Sequence, residues 1–200
     1  LILLTPWKKD RVLVDPFCGS GTFPIEAAMM AANMAPGMNR NFQAEEWKNL
    51  IGRKLWYETI NEANDLVESR VETDIQGYDI DPAAVRIARQ GAERAGVDHL
   101  IHFQQRPVSQ LSHPKAYGFL ITNPPYGERI GDKEEVQQVY GDLGKRFAAL
   151  DRWSAFVITS FEDTERCMGR KADKKRKIYN GMLKTTFYQF MGPKPPRKEV

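Results

Sequence analysis

The chain has 200 residues and a mass of 22.9 kDa, with 42% hydrophobic and 28% charged residues, which fits one ordinary globular domain and excludes collagen-like, mucin-like and largely disordered chains. No apolar run approaches the roughly 18 residues needed to cross a bilayer, and Leu1-Ile2-Leu3-Leu4 is too short and lacks the basic flank of a signal peptide, so the expected location is cytoplasmic. The net charge of +3 is a sum of opposites: residues 166–200 hold 11 Lys and Arg against 2 acids, net +9, whereas residues 1–165 hold 18 against 24, net −6.

Leu1-Ile2-Leu3-Leu4-Thr5-Pro6-Trp7 reads as the end of an apolar helix stopped by Pro6. With Leu at position 1, the expectation is a fragment whose fold, with an upstream domain, begins earlier. Apolar runs suited to strands follow at 11–15, 75–78, 101–104, 117–122, 153–159 and 184–191. Helical patterns fall between them at 23–34, 82–95 and 134–150, the last with Val136, Val139, Tyr140, Leu143, Phe147 and Leu150 at helical spacing. Such alternation implies an α/β fold with a parallel sheet covered on both faces. Residues 33–74 exceed what a strand–helix unit needs, and their amphipathic runs predict inserted helices. Near the end, 177–180 and 183–191 flank Asn180-Gly181 and predict a tight hairpin, which would add an antiparallel edge strand to a sheet of seven. Gly192-Pro193-Lys194-Pro195-Pro196-Arg197 reads as an extended tail.

Asp15-Pro16-Phe17-Cys18-Gly19-Ser20-Gly21-Thr22 lies between the first predicted strand and helix, where glycines let backbone N–H groups approach a nucleotide-type ligand. Pro24 stands where a dinucleotide fingerprint needs its third glycine, and there is no Gly-Lys-Ser/Thr ending for a nucleoside triphosphate. Asp15 would repel a phosphate and suits a ligand carrying a cationic amine beside a carboxylate, such as S-adenosylmethionine. The second predicted strand ends in Gly77-Tyr78-Asp79-Ile80-Asp81-Pro82, where Asp79 can take both ribose hydroxyls. Asp81 has a competing reading as the N-cap of the next helix. The expected cofactor set is therefore Asp15, Phe17, Cys18, Gly19, Ser20, Gly21, Thr22, Asp79, Ile80 and Asp81.

The fourth predicted strand runs into Asn123-Pro124-Pro125-Tyr126-Gly127, beyond a carboxyl end of the sheet, where ligands of open α/β folds sit. An exocyclic amine on a base is a poor nucleophile because its lone pair is delocalised. The Asn123 side-chain oxygen and the Pro124 carbonyl can accept its two N–H groups and turn the lone pair toward a methyl donor. Consecutive prolines, with Pro125 second, keep the backbone stiff, and Tyr126 offers a ring for stacking on a flat acceptor. Read without context, the same four residues make a rigid turn. Cys18 and Cys167 are expected as free thiols with no part in a cysteine-nucleophile mechanism, since one lies within the glycine loop and the other lacks catalytic context.

Residues 15–22 with Phe23-Pro24-Ile25-Glu26-Ala27-Ala28, residues 77–82, Asn123-Pro124-Pro125-Tyr126-Gly127-Glu128-Arg129-Ile130, and Tyr179-Asn180-Gly181 together resemble the RNA guanine-N2 methyltransferases whose catalytic domain follows a THUMP RNA-binding domain. The eight residues from Asn123 are the most specific part, because Asn-Pro-Pro-Tyr alone also occurs in adenine, cytosine and protein-glutamine N-methyltransferases. The resemblance covers nearly the whole chain. It implies a class I, Rossmann-like S-adenosylmethionine-dependent fold, methyl transfer to guanine N2 in ribosomal RNA, and an upstream THUMP-type domain. A transfer-RNA substrate, a DNA adenine-N6 methyltransferase and a non-catalytic RNA-binding module are the alternatives. The chain departs from the common class I pattern after the third predicted strand, where Phe103-Gln104-Gln105-Arg106-Pro107-Val108 has no acid for the adenine amine; backbone atoms around Gln105 or Val108 are the substitutes.

The run Arg170-Lys171-Ala172-Asp173-Lys174-Lys175-Arg176-Lys177 precedes the predicted hairpin. Read as a phosphate-contacting surface, it assigns Arg170, Lys171, Lys174, Lys175, Arg176 and Lys177 to RNA; read blandly, it is a solvated face. Neither a metal nor a membrane is expected.

Overall fold

A computed structural model describes residues 1–38, 40–47, 49–125 and 133–196. Seven strands form one sheet in the order β3-β2-β1-β4-β5-β7-β6: β1 (Leu13–Asp15), β2 (Ile75–Asp79), β3 (Ile101–Gln105), β4 (Phe119–Thr122), β5 (Ser154–Thr159), β6 (Lys174–Asn180) and β7 (Leu183–Phe190). The first five strands are parallel, β7 is antiparallel to β5, and β6 is antiparallel to β7. The C-terminal strand is thus antiparallel as expected but lies one place in from the edge. β6 takes the edge and runs in the same sense as β5, so its carboxyl end is on the same rim as theirs.

The central strands are uninterrupted apolar runs because both their faces are covered. Every residue of β1, β4 and β5 is buried. Alternation sends Leu13, Ile121 and Phe156 to one face, under Ala27, Ala28 and Ala31 of α1 (Thr22–Ala31) and Val85, Ala88 and Ala92 of α3 (Pro82–Ala95). Val14, Leu120 and Val157 go to the other face, under Leu143 and Phe147 of α4 (Lys133–Ala149). The alanine stripes of α1 and α3 keep those helices close to the sheet. α3 starts and stops where its sequence says it should. Asp81 caps it by accepting from the Ala83 N–H at 2.8 Å, Pro82 opens it, and Gly96 closes it in the left-handed region.

The opening segment is a 3-10 turn at Ile2–Leu4, with Leu3 84% exposed. Two expectations need correction. Among its described residues the insertion holds a 3-10 turn at Gln43–Glu46 and one α-helix, α2 (Arg53–Asp65), which buries none of its residues. The basic run does not precede the hairpin: β6 begins at Lys174, because Lys174 to Lys177 pair with Gln189 to Thr186 of β7 whatever their side chains prefer. A short helix, α5 (Thr164–Cys167), links β5 to this hairpin. Among the described residues, no helix is long and apolar enough to cross a membrane, and no cluster of His, Cys, Asp and Glu could hold a metal ion.

Candidate active site at the carboxyl rim of the sheet

The strand order reverses direction between β1 and β4, and a crevice opens there beyond the carboxyl ends of the strands. Asp15, the last residue of β1, is 1% exposed. Its Oδ1 accepts the Phe17 N–H at 3.1 Å and the Thr122 hydroxyl at 2.5 Å, while Oδ2 receives no donor among the described residues. Burial drives this carboxyl up to about 7 against the opposing pull of the two hydrogen bonds. A buried carboxylate that leaves one oxygen without a donor among the described residues suits a cationic ligand group and repels a phosphate.

The loop after β1 is held from both sides. The Cys18 N–H donates to the Tyr78 carbonyl at 2.8 Å, and the Gly21 N–H to the Cys18 carbonyl at 2.7 Å. Gly19 (φ +52°) and Gly21 (φ +83°) adopt left-handed backbone, and a side chain at Gly21 would strike Ala88 and Phe103. Asp79 closes the cradle: its Oδ2 accepts the Gly19 N–H at 2.9 Å and its Oδ1 the Asp81 N–H at 3.0 Å. The structure therefore brings Asp15, the glycine loop and Asp79 together despite the insertion separating them in sequence. Ser20 and Thr22 face outward with their hydroxyls 3.3 Å apart, and Phe17 is half-buried. Asp81 spends its side chain on the α3 cap, and the 70% exposed Ile80 leaves an apolar side chain beside the loop. Gln105 donates through Nε2 to the Ile80 carbonyl at 3.2 Å, and Val108 is buried. The Cys18 thiol is pushed up by burial and then by Asp15 and Asp79, which keeps it protonated.

β4 delivers Asn123 exposed, Pro124 buried and Pro125 half-buried directly after Thr122. Tyr126 lies outside the described residues, as does the rest of the motif through Ile130. Two contributors escaped sequence reasoning. Thr122 is the link from β4 to Asp15, and its only signal was its place immediately before Asn123. On the next strand, the Tyr140 hydroxyl lies 2.6 Å from the Thr159 hydroxyl, and its ring lies 4.5 Å from that of Phe161, between centroids. That cluster packs α4 against the carboxyl end of β5, the strand beside β4. Of the basic residues, Lys175 is held by Glu165 at 2.9 Å and Arg170 by Asp173 at 2.7 Å, whereas Lys171, Lys174, Arg176 and Lys177 have no ion-pair partner among the described residues.

This arrangement has relatives. Over its full length the chain is 45% identical to a Bacillus subtilis (strain 168) protein named "Putative RNA methyltransferase YpsC", covering 52% of it. Over 94% of the chain it is 40% identical to ribosomal RNA large subunit methyltransferase K/L of Shewanella oneidensis, covering 27% of that protein. The solved structure of SMU.472 in complex with SAH superposes with a TM-score of 0.92 at 45% identity, over 98% of this chain and 52% of that one. The chain thus spans about half the length of one of these curated relatives and about a quarter of the other. Residues 1–189 match the family described as UPF0020: RMKL-like, methyltransferase domain, and the chain belongs to that family.

Proposed function

We propose that this domain transfers a methyl group from S-adenosylmethionine to the exocyclic N2 amine of a guanine in ribosomal RNA. The observation that carries the reading is the buried Asp15 with one oxygen unpartnered, bonded through Thr122 to the strand that presents Asn123. S-adenosylmethionine supplies an activated methyl group and carries a cationic amine. Asp15 Oδ2 would receive that amine, and the loop at Gly19 would lie along the ligand's backbone-like portion. Asp79 keeps free lone pairs for the ribose hydroxyls. Asn123 and the Pro124 carbonyl would accept the two N–H groups of the target amine, so that N2 presents its lone pair, gains the methyl carbon as the carbon–sulfur bond breaks, and releases a proton to solvent. The names of the K/L and YpsC relatives support RNA, and the former supports ribosomal RNA, as the substrate class. An upstream THUMP-type domain belongs to this proposal, as does contact of RNA with part of the basic C-terminal segment.

The test is transfer of isotope-labelled methyl groups to ribosomal RNA, transfer RNA and duplex DNA, followed by nucleoside analysis. N2-methylguanosine in ribosomal RNA is the expected product; label appearing only in N6-methyladenine of DNA would overturn the assignment. Asn123→Ala should abolish transfer while calorimetry still detects cofactor binding, and unchanged transfer would remove Asn123 from the mechanism.

A further inference from the structure

We infer that RNA runs over only one face of the β6–β7 hairpin, the face carrying Lys177, Tyr179 and Lys184; the inference rests on the RNA reading above. An edge strand alternates, so its basic residues cannot act as one patch. Lys174, Arg176 and Ile178 point to the α1/α3 side, where Ile178 packs on the core and Arg176 stands opposite Phe187. Lys175, Lys177 and Tyr179 point to the α4 side, opposite Tyr188, Thr186 and Lys184. On this second face Lys175 is engaged by Glu165 and lies over the Tyr188 ring, which leaves the side chains of Lys177, Lys184 and Tyr179 without hydrogen-bond or ion-pair partners among the described residues.

The register leads this strip toward the acceptor loop. Thr122 of β4 stands opposite Val157 of β5, Val157 opposite Tyr188 of β7, and Tyr188 opposite Lys175 of β6. Lys177 is therefore level with Pro124, three inter-strand steps or about 14 Å to the side. Tyr179 and Lys184 rise one further pair beyond the rim. The tip above them is apolar. Asn180 closes the hairpin against Leu183, so the two-residue turn is Gly181-Met182 and not the expected Asn180-Gly181. Gly181 has φ +61° at the first turn position, and Met182 is left fully exposed.

Lysines on an edge strand also protect against edge-to-edge aggregation, and that role alone would explain Lys174 to Lys177. It does not explain a 67% exposed Tyr179 and an exposed Met182 beyond them and past the rim, since apolar surface at an unpaired edge invites the association that the charges prevent. Alternating cations and a flat ring are the pattern of a surface that follows a phosphate backbone and stacks one base.

The experiment uses the full 200-residue chain. It follows a fluorescein-labelled single-stranded RNA of about 16 nucleotides by anisotropy across a salt series, with cofactor binding measured in parallel. Lys177→Ala with Lys184→Ala should weaken binding and reduce the slope of log K against log salt by about 1.4, two contacts at about 0.7 each. Lys174→Ala with Arg176→Ala, on the opposite face, should leave the slope unchanged. Tyr179→Ala should weaken binding by roughly fivefold or more without altering the slope, and Tyr179→Phe should restore it. Equal slope losses from both pairs, or a loss confined to Lys174 and Arg176, would overturn the inference and leave the RNA reading standing. Absence of RNA binding by the unsubstituted chain, with cofactor binding intact, would overturn the inference, and the RNA reading would then stand or fall on the methyl-transfer test above.

Discussion

The Thr122 hydroxyl donates to Asp15 Oδ1 across 2.5 Å and so ties the last residue of β4 to the last residue of β1. The residue that follows β4 is Asn123, the proposed amine acceptor; the free oxygen of the same Asp15 is the proposed site for the cofactor's positive charge. The two halves of the crevice thus share one hydrogen bond. Thr122→Val should remove a bond that holds the Asp15 carboxyl down, raise that carboxyl further, and weaken cofactor binding at pH 7 by about tenfold, the cost of one charge-assisted bond of roughly 1.5 kcal/mol. Thr122→Ser should bind normally. Calorimetric titration of both variants checks this, and an equal loss in Thr122→Ser would show that shape, not the hydroxyl, matters.

Asp15 stabilises the fold less than an amide would at alkaline pH. Its folded-state value of about 7 lies above its ordinary 3.8, so the native protein holds the proton more tightly than the unfolded chain. Its contribution is most favourable below about pH 4, declines as pH rises from about 4 to 7, and above that includes the full cost of a buried carboxylate, up to about 4 kcal/mol. Asp15→Asn should therefore raise Tm at pH 8 and leave it nearly unchanged at pH 4. Melting curves at the two pH values measure the difference, and a lower Tm at pH 8 would contradict the burial argument.

The same titration should appear in ligand binding with the opposite preference. A cationic amine needs Asp15 ionised, so affinity for S-adenosylmethionine should fall as pH drops below about 7, approaching tenfold per unit. Binding at pH 7 should release protons, visible as a calorimetric enthalpy that changes with the buffer's heat of ionisation. Asp15→Asn should weaken binding and remove the buffer dependence.

Most of the candidate site's layout was legible because its signals are local. The glycine loop, Asp79 at a strand end and Asn123 after another strand each carry their signal within a few adjacent residues, and the parallel sheet brings them to one rim. Thr122 was not legible, since its partner is 107 residues away on a neighbouring strand and nothing at either position announces the pairing. The start of β6 was missed because consecutive cations disguise a strand whose order comes from the ladder with β7. In α2 the periodicity was real, but the apolar stripe it implied is not buried.

That exposure makes α2 energetically separable from the core. Leu55 and Leu66 are 62% and 59% exposed, so Leu55→Ser and Leu66→Ser should each change unfolding free energy by no more than about 0.5 kcal/mol. Denaturant titration checks this. A loss several times larger would mean that the insertion packs on the body of the domain.

Gly77 in β2 behaves oppositely. A Cβ there would lie 2.6 Å from the Phe103 ring and 3.1 Å from Pro24, so Gly77→Ala should destabilise the fold by about 1–3 kcal/mol. Phe103→Leu in the same chain should recover part of the loss. Chemical denaturation of the single and double variants separates a steric cause from a backbone one, because relief by Phe103→Leu requires the ring itself to be the obstacle.

The Phe103 ring also fills the space a side chain at Gly21 would need, with 3.0 Å to its Cζ. One phenyl group on β3 thereby bounds both the glycine loop, where Ala88 joins it, and the strand carrying Asp79. Over evolutionary time, positions 21, 77 and 103 are then not free to drift separately. A larger residue at Gly77 becomes admissible only after the ring has shrunk, whereas Gly21 is also held to glycine by Ala88 and by its left-handed backbone, and a smaller residue at 103 leaves a void beneath the loop until Gly77 has grown.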